Sequence, residues 1–429
     1  MNEVLDHDTE TGTPIHEGLY GALIDKDLLM QAYNRISKNS GAHTPGVDGI
    51  TVTEFSKHLD ENLEQLMLEL EEGSYQPQPA RQVSIPKGNG AFRTLSIPTF
   101  RDRIVQEVVR LRVEPFFEPI FSQNSFAYRP GLNLHDAISA VTEHAQRGCL
   151  WVLEGDIEAC FDSIDHTTLL TFLRKRVPDE RLLELISQLL RAGVMVDNQL
   201  QATKRGAPQG AVISPLLANI YLHVLDAFIE SGYVKSLTSA VGYVRYADDF
   251  VVMTERKQDA QMIQFALQAF LASALELTLS ESKTKLTHLK KGIRFLGFDI
   301  RSHSGLMGRR VNVHIPKEAS ELVKAKVDTI LDTDKASETK LRELNRYLSS
   351  WGHSYRRCDN ALRVFRSLDN VLHKKVLGSL AKAKNMGLRK ARRAFLENDV
   401  VTIDGLALRQ LKSIVERTEP QALPELEPA

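Results

Sequence analysis

Residues 241–254 read Val-Gly-Tyr-Val-Arg-Tyr-Ala-Asp-Asp-Phe-Val-Val-Met-Thr, and this stretch decides the fold. Two apolar, β-prone runs flank the tetrapeptide Tyr246-Ala247-Asp248-Asp249. This pattern predicts a β-hairpin with two adjacent carboxylates at its tip. Adjacent aspartates repel each other and gain nothing from a hydrophobic core. The pair therefore indicates either a solvent-exposed turn or a set of ligands for a hard cation.

A second acidic position favours the cation site. Asp156 ends its own apolar run, Trp151-Val152-Leu153-Glu154-Gly155-Asp156, which predicts a short strand. Two carboxylate sites at strand ends are the way in which a sheet presents oxygen ligands to a pair of Mg²⁺ ions. Such ions would bind the attacking 3′-hydroxyl and the leaving pyrophosphate of an in-line phosphoryl transfer. We therefore predict that Asp156, Asp248 and Asp249 are catalytic metal ligands.

The rest of the chain alternates between strand and helix patterns. Apolar residues at helical spacing predict helices over 25–38, 53–72, 100–113, 133–147, 165–176, 180–192 and 256–277. Residues 82–98 predict a hairpin that turns at Lys87-Gly88-Asn89-Gly90. Ser214-Pro215 predicts a helix start with Ser214 as the N-cap. Residues 317–395 lack a strand pattern and predict three or four helices.

Composition excludes several classes of protein. The 429 residues are 42% hydrophobic, enough for a large core. The three cysteines are scattered without a CxxC pair, so the sequence indicates neither a zinc knuckle nor a disulfide framework. A membrane span needs about 20 apolar residues, and no apolar run in the sequence approaches that length. The acidic N-terminus is unlike a signal peptide. We expect a cytoplasmic protein with no membrane association, and its oligomeric state stays open.

The net charge of −1 hides an asymmetry along the chain. Residues 1–80 contain 4 Lys and Arg against 15 Asp and Glu, whereas residues 356–395 contain 12 against 2. A polyanionic partner is one interpretation of the basic stretch. A solvated helical face is the other.

At these residues the chain resembles the group II intron-type (maturase-related) bacterial reverse transcriptases. Arg245-Tyr246-Ala247-Asp248-Asp249-Phe250 resembles the YADD hairpin of that family, and residues 156–162 resemble the strand with the other catalytic aspartate. Residues 206–222 are similar to its PQG…SPLLANIYL segment. Shorter matches follow in the family's order at 45–49, 85–87, 93–98, Asp102-Arg103, Gln106, Leu279-Ser280, Lys283-Thr284 and 295–298. One such motif is weak evidence, but this series in one order is specific.

The resemblance implies an α+β fold: a right-hand polymerase with fingers and a palm with an antiparallel sheet, followed by an all-helical thumb. We predict a mobile N-terminus (1–24), an N-terminal extension with fingers (25–150), a palm with part of the fingers (151–310), a maturase-type thumb (311–400) and a C-terminal tail (401–429). Beyond residue 395 we recognise neither the family's HNH endonuclease nor a DNA-binding domain. We therefore expect an endonuclease-lacking member.

The resemblance also implies roles for individual residues. The three aspartates would bind two Mg²⁺ ions, with Mn²⁺ as a substitute. The incoming deoxynucleotide would contact Lys87, Arg93, Phe161, Gln209 and Lys283, with Phe161 blocking a ribose 2′-hydroxyl. The template and primer would contact Arg103, Arg356, Lys374, Lys375, Lys382 and Lys384. Ala207 and Ala211 replace the family's usual Thr and Gly, so we expect a less permissive turn there.

The implied activity is RNA-directed DNA synthesis, a nucleotidyl transfer from deoxynucleoside triphosphates to a DNA or RNA primer on an RNA template. Two biological settings stay open. One is an intron-encoded maturase that helps its intron RNA splice, and the other is a domesticated enzyme of antiviral defence or repair. An RNA-binding splicing maturase without polymerase activity is the alternative function. A pure RNA chaperone would not need the carboxylate triad, which is intact.

Overall fold

The computed structural model of the chain describes residues 18–86, 92–237, 240–305, 308–397, 400–403 and 405–416. The chain divides into an N-terminal unit, residues 1–287, and a C-terminal unit, residues 288–429. The sequence placed this boundary at residue 310. No helix among the described residues is long and apolar enough to cross a membrane.

The described part of the N-terminal unit contains more helix than strand. The helices comprise Lys26–Ile36, Val52–Phe55, Leu59–Glu72, Phe100–Phe117, Leu134–Gln146, Cys160–Ser163, His166–Arg176, Glu180–Arg191, Ser214–Glu230, Gly232–Leu237 and Lys257–Phe270. The predicted helix over 53–72 is interrupted by the 3₁₀ turn Ser56–His58. The predicted cap is wrong: Ser214 lies inside its helix after Ile213, and its buried hydroxyl has no hydrogen-bond partner among the described residues.

One four-stranded sheet carries the predicted acidic hairpin. Its strands, in order, are Val241–Tyr246, Asp249–Thr254, Trp151–Asp156 and Lys285–His288. The first three pair in antiparallel fashion. Apolar residues of these strands, including Val244, Val251 and Val252, are fully buried, as expected for a sheet covered by helices.

A second four-stranded sheet contains the predicted hairpin at 82–98. The strands Ala80–Pro86 and Phe92–Ile97 are antiparallel neighbours, which confirms that hairpin. Ala80–Pro86 also pairs with Val194–Val196, which in turn pairs with Gln199–Gln201. The turn, residues 87–91, lies outside the described residues.

The predicted mobile N-terminus needs a correction. Residues 1–17 lie outside the described part of the chain, but residues 18–24 are folded. Leu23 is fully buried, and the Tyr20 hydroxyl donates to the Leu70 carbonyl at 2.7 Å. The Tyr20 backbone amide also donates to the Asp179 carboxylate at 2.8 Å. These contacts hold the segment against the core.

The C-terminal unit combines helices with two small sheets. Its helices are Lys317–Leu331, Ser337–Tyr355, Ala361–Ala383, Leu388–Phe395 and Lys412–Glu416. One sheet contains Ile293–Phe295, Phe298–Gly305 and Gly308–His314, and the other contains Leu396–Glu397, Val400–Ile403 and Leu406–Ala407. Four helices over 317–395 and the α+β class agree with the prediction. The sheet at 396–407 was not predicted.

The predicted C-terminal tail also needs a correction. Residues 417–429 lie outside the described part, but the segment before them is folded into the unit. Val401, Leu411 and Ile414 are buried. The Asp369 carboxylate accepts hydrogen bonds from the backbone amides of Leu411 and Lys412, at 2.8 and 3.0 Å. These bonds attach the last described helix to the long helix Ala361–Ala383.

Candidate active site

The acidic hairpin turns over two residues. Tyr246 lies opposite Asp249 at the end of the strand pair, so Ala247 and Asp248 form the turn. Ala247 has φ 59°, in the left-handed region that residues other than glycine rarely adopt. On the neighbouring strand Asp156 lies opposite Asp249. The structure therefore brings the three predicted aspartates to one end of one sheet.

The Asp249 carboxyl lies in surroundings that disfavour its ionised form. Burial and the negative charges of Asp248 and Asp156 raise the pKa of the Asp249 carboxyl to about 6, against the opposing effect of Lys283. Clustered carboxylates with a raised pKa are typical of sites that gain by binding a cation. Aspartate oxygens are also the ligands that hard divalent cations prefer. The chemistry of the donor set therefore fits divalent metal ions.

Lys283 contacts the Asp156 carboxylate directly. Its Nζ lies 3.0 Å from Oδ2 and 3.3 Å from Oδ1 of Asp156. The hydrogen bond to Asp156 and the charge of Asp156 raise the pKa of the Lys283 ammonium, which is mostly exposed. In this conformation no three acidic, histidine or cysteine side chains among the described residues are grouped to hold a metal ion. Asp156 faces a lysine of its own chain instead.

The loop before the helix Ser214–Glu230 is tied to two neighbouring segments. Its amides at Gly206 and Ala207 donate to the carbonyls of Ile164 and Phe161, at 2.7 and 2.8 Å. On its other side, the Ser96 amide donates to the Gln209 carbonyl at 2.7 Å. The loop thus links the segment after Asp156 to the strand that carries Arg93.

The close packing of this loop explains why position 210 requires glycine. It also shows whether the backbone accepts alanine at positions 207 and 211. Gly210 has φ +107°, and a Cβ there would lie 2.7 Å from the Ser96 carbonyl oxygen, so only glycine fits. Ala207 and Ala211 are buried, and neither has a positive φ. Their backbone conformations therefore do not require glycine, and the turn forms with alanine at both positions.

Besides Lys283, the four other predicted nucleotide contacts fall into three groups. Arg93 donates from Nε to Oε1 of Gln209 at 3.2 Å, so these two side chains lie together. Phe161 is only 8% exposed and packs in the main core, and its role against a 2′-hydroxyl stays a prediction. Lys87 lies outside the described residues.

The predicted nucleic-acid contacts need one correction, at Arg103. Arg103 is buried and donates to the carbonyls of Pro98, Thr44 and Gly41, at 3.0, 2.6 and 2.9 Å. Its guanidinium holds these backbone segments together and is not presented to a ligand. In the C-terminal unit, Lys375 pairs with Asp328. Arg356 is half-buried, whereas Lys374, Lys382 and Lys384 are exposed.

A buried polar cluster beneath the acidic turn was not predicted from the sequence. Arg245 and Asp226 are fully buried and form an ion pair, with Asn219 and Tyr243 beside them. A signal was present, because an arginine in an apolar strand and an aspartate in an apolar helix are each rarely buried without a partner. Tyr128 was missed too. It is half-exposed, and burial and the charge of Asp248 raise its pKa, which marks it as a neighbour of the site.

Comparison with known proteins finds a family whose model covers the acidic hairpin. The family model described as reverse transcriptase (RNA-dependent DNA polymerase) matches residues 85–300. The group II intron-encoded protein LtrA of Lactococcus lactis is 34% identical over 341 residues, covering 66% of this chain and 56% of LtrA. The chain thus spans little more than half of that relative.

A bacterial relative of similar length is also found. Protein YkfC of Escherichia coli is 35% identical over 337 residues, which cover 71% of this chain and 88% of YkfC. Among solved structures, telomerase from Candida albicans is similar with a TM-score of 0.44 and 13% identity, over 81% of this chain and 67% of that one. From the family match and the two sequence relatives, the chain belongs to the reverse transcriptase family and, within it, to the group II intron type.

Proposed function

We propose that this protein is an RNA-directed DNA polymerase that extends a primer on an RNA template. The observation that carries the proposal is the convergence of Asp156, Asp248 and Asp249 at one end of a buried sheet in a member of this family. Carboxylates placed in this way support a nucleotidyl transfer from deoxynucleoside triphosphates. Within the family, the intron-encoded relative makes intron RNA a candidate partner for this chain as well.

The three aspartates would hold two Mg²⁺ ions, for which Mn²⁺ is a substitute. Bound there, the ions supply the charge stabilisation that phosphoryl transfer needs. Asp156 must exchange its contact with Lys283 to become a ligand. The released ammonium, which is 67% exposed, is then free to bind an anionic phosphate of the nucleotide.

Arg93 and Gln209 would also orient the nucleotide. Their side chains already contact each other, so the hydrogen bond fixes the arginine before a substrate binds. An arginine offers several donors in a rigid plane that matches phosphate oxygens. We propose that Arg93, together with Lys87, binds the triphosphate, and that Gln209 contacts the nucleotide beside it.

The exposed cations of the C-terminal unit would hold the template and primer. Lys374, Lys382 and Lys384 are exposed, and Arg356 is accessible in part. Phosphate contacts of this kind give affinity without sequence preference. The alternative function, a splicing maturase without polymerase activity, needs the same basic surface but makes no use of the aspartates.

The test is primer extension on poly(rA)/oligo(dT) with Asp156→Asn and Asp248→Asn. Losing one metal ligand removes about 3 kcal/mol or more of transition-state stabilisation, so we expect a loss of about 100-fold or more. Binding of the RNA–DNA duplex should stay within a few-fold of the original. Glu158→Gln is the matched control, because this exposed carboxylate lies two residues after Asp156.

Two outcomes would count against the proposal. Normal synthesis by either aspartate variant would remove the metal-site assignment. A wild-type protein that binds RNA tightly and assists splicing, but extends no primer with any divalent cation, would favour the maturase alternative.

A further inference from the structure

We propose that the buried pair of Arg245 and Asp226 positions the catalytic turn, and that Arg245 does so by binding the backbone carbonyl of Ala247. Arg245 is then a positioning residue that acts through Asp248 and Asp249. This inference rests on the proposed function, because it assigns a device for arranging the same carboxylates.

The ion pair is bidentate and completely shielded from water. Arg245 donates from Nε to Oδ1 and from Nη2 to Oδ2 of Asp226, both at 2.6 Å. Both side chains are 0% exposed. Tyr243 donates its hydroxyl to Oδ1 of the same carboxylate at 2.7 Å. Asp226, which lies on the helix Ser214–Glu230, therefore fixes the plane of the guanidinium.

The remaining terminal nitrogen of Arg245 reaches the turn. Its Nη1 donates to Oδ1 of Asn219 at 2.9 Å and to the Ala247 carbonyl oxygen at 3.1 Å. That carbonyl belongs to the peptide bond that joins Ala247 to Asp248. Ala247 has φ 59°, a conformation that costs alanine about 1 kcal/mol or more and persists only when its surroundings impose it. The guanidinium supplies that constraint.

The same cluster also fixes the segment beside the strand. Asn219 donates from Nδ2 to the Ala127 carbonyl at 2.8 Å. The Arg245 amide donates to the Asn124 carbonyl at 2.8 Å, and the Phe126 amide donates to the Arg245 carbonyl at 3.0 Å. One helix thereby holds both the catalytic turn and residues 124–127.

Stability alone does not account for the ion pair. Desolvation of two buried charges is so costly that apolar residues of similar volume are often as stabilising or more so. Burial by itself would lower the pKa of Arg245, but the charge of Asp226 opposes it and raises the pKa, so the guanidinium stays charged. An apolar pair would fill the space but could not donate to the Ala247 carbonyl. The hydrogen bond to the turn is what the ion pair adds.

A lysine could not replace this arginine. The guanidinium is a rigid plane with five donors, and here it serves the two Asp226 oxygens, Asn219 and Ala247 at once. A lysine ammonium could keep the charge pair with Asp226 but could not reach all of these acceptors from one position.

The experiment separates positioning from folding. In the full chain, the triple variant Arg245→Met, Asp226→Leu, Tyr243→Phe removes the ion pair and keeps an apolar filling. Tyr243→Phe alone is the matched control, since it removes one hydrogen bond to Asp226 but keeps the hydrogen bond from Arg245 to the Ala247 carbonyl. Thermal unfolding, Mn²⁺ binding by electron paramagnetic resonance and primer extension are measured for each.

We expect the triple variant to fold with a melting temperature near that of wild type. Groups behind metal ligands typically change metal affinity by 10- to 100-fold, so its Mn²⁺ affinity should fall by about tenfold or more. Its kcat should fall by a similar factor, with an unchanged KM for template–primer. The Tyr243→Phe control should keep the Mn²⁺ affinity and kcat of wild type.

Three results complete the test. A folded triple variant with wild-type Mn²⁺ affinity and kcat would overturn the proposal. If the triple variant does not fold, the same measurements are made on Arg245→Lys below its melting temperature. Wild-type Mn²⁺ affinity and kcat in Arg245→Lys would then overturn the proposal. If wild type extends no primer, the polymerase assignment fails, but the comparison of Mn²⁺ affinities still decides the positioning role.

Discussion

Three lysines of the C-terminal unit give a quantitative prediction about nucleic-acid binding. Lys374 and Lys382 lie on the helix Ala361–Ala383, and Lys384 follows it directly. All three are exposed, and among the described residues none forms an ion pair. Our proposal assigns each of these lysines a phosphate contact, which releases a counterion on binding. We therefore expect the change of all three to glutamine to weaken binding of an RNA–DNA duplex.

The magnitude follows from the number of lysines. Each phosphate contact contributes roughly −0.7 to −0.9 to the slope of log K against log salt concentration. Three lost contacts should therefore make the slope shallower by roughly 2 to 3. Between 50 and 200 mM salt, wild type should lose roughly 20- to 40-fold more affinity than the variant does.

The assay is fluorescence anisotropy of a labelled duplex over that salt range, together with primer extension under single-turnover and processive conditions. The triple variant should lose processivity but still add single nucleotides at high enzyme concentration. Lys375→Gln is the matched control. It removes one positive charge, as each single change in the triple variant does, but the Lys375 ammonium is already paired with Asp328, so the slope should not change.

Two results would refute this reasoning. An unaltered salt slope in the triple variant would make these lysines a solvated face with no contact to nucleic acid. A slope that changes as much per lysine in Lys375→Gln as in the triple variant would show that overall charge matters and individual contacts do not.

Two further predictions concern the nucleotide side of the site. Replacing Phe161 with Val should raise ribonucleotide incorporation, because an aromatic wall would no longer meet the 2′-hydroxyl; an unchanged ratio of dNTP to rNTP use would leave Phe161 as a core residue only. Gly210→Ala should lower kcat/KM for dNTP by about tenfold or more, because a Cβ 2.7 Å from the Ser96 carbonyl oxygen displaces the loop that carries Gln209. Ala211→Gly, in the same loop, is the control. Wild-type kinetics in Gly210→Ala would show that the loop adapts to the added methyl group.

Local patterns predicted most of the N-terminal unit. Helices such as His166–Arg176 and Glu180–Arg191 bury apolar faces at helical spacing, so their periodicity is visible in sequence. The acidic hairpin is equally local, since its strands and turn are continuous in the chain. These elements place Asp248 and Asp249, and the strand ending at Asp156 completes the group.

Contacts between distant residues explain where prediction failed. Tyr20 is held by Leu70 and Asp179, so no local pattern could show that this segment is ordered. The strands of the sheet at 396–407 have two to four residues, too few to display alternation. Arg103 faces carbonyls of residues 41, 44 and 98, and a motif that names an arginine does not say which way it points.

Two cations that contact the acidic site, Arg245 and Lys283, differ in a way that suits their positions. Arg245 lies beneath the turn, and the two oxygens of Asp226 neutralise it, so it can bind the Ala247 carbonyl without drawing Asp248 or Asp249 inward. An unpaired charge there would compete with any cation bound by those aspartates. Lys283 is the opposite case: it is exposed, and its charge is balanced by Asp156 itself. Because water can replace Asp156 around an exposed ammonium at little cost, this contact is the one that a metal ion can displace. The buried pair therefore fixes the geometry of the site, while the exposed pair keeps Asp156 available.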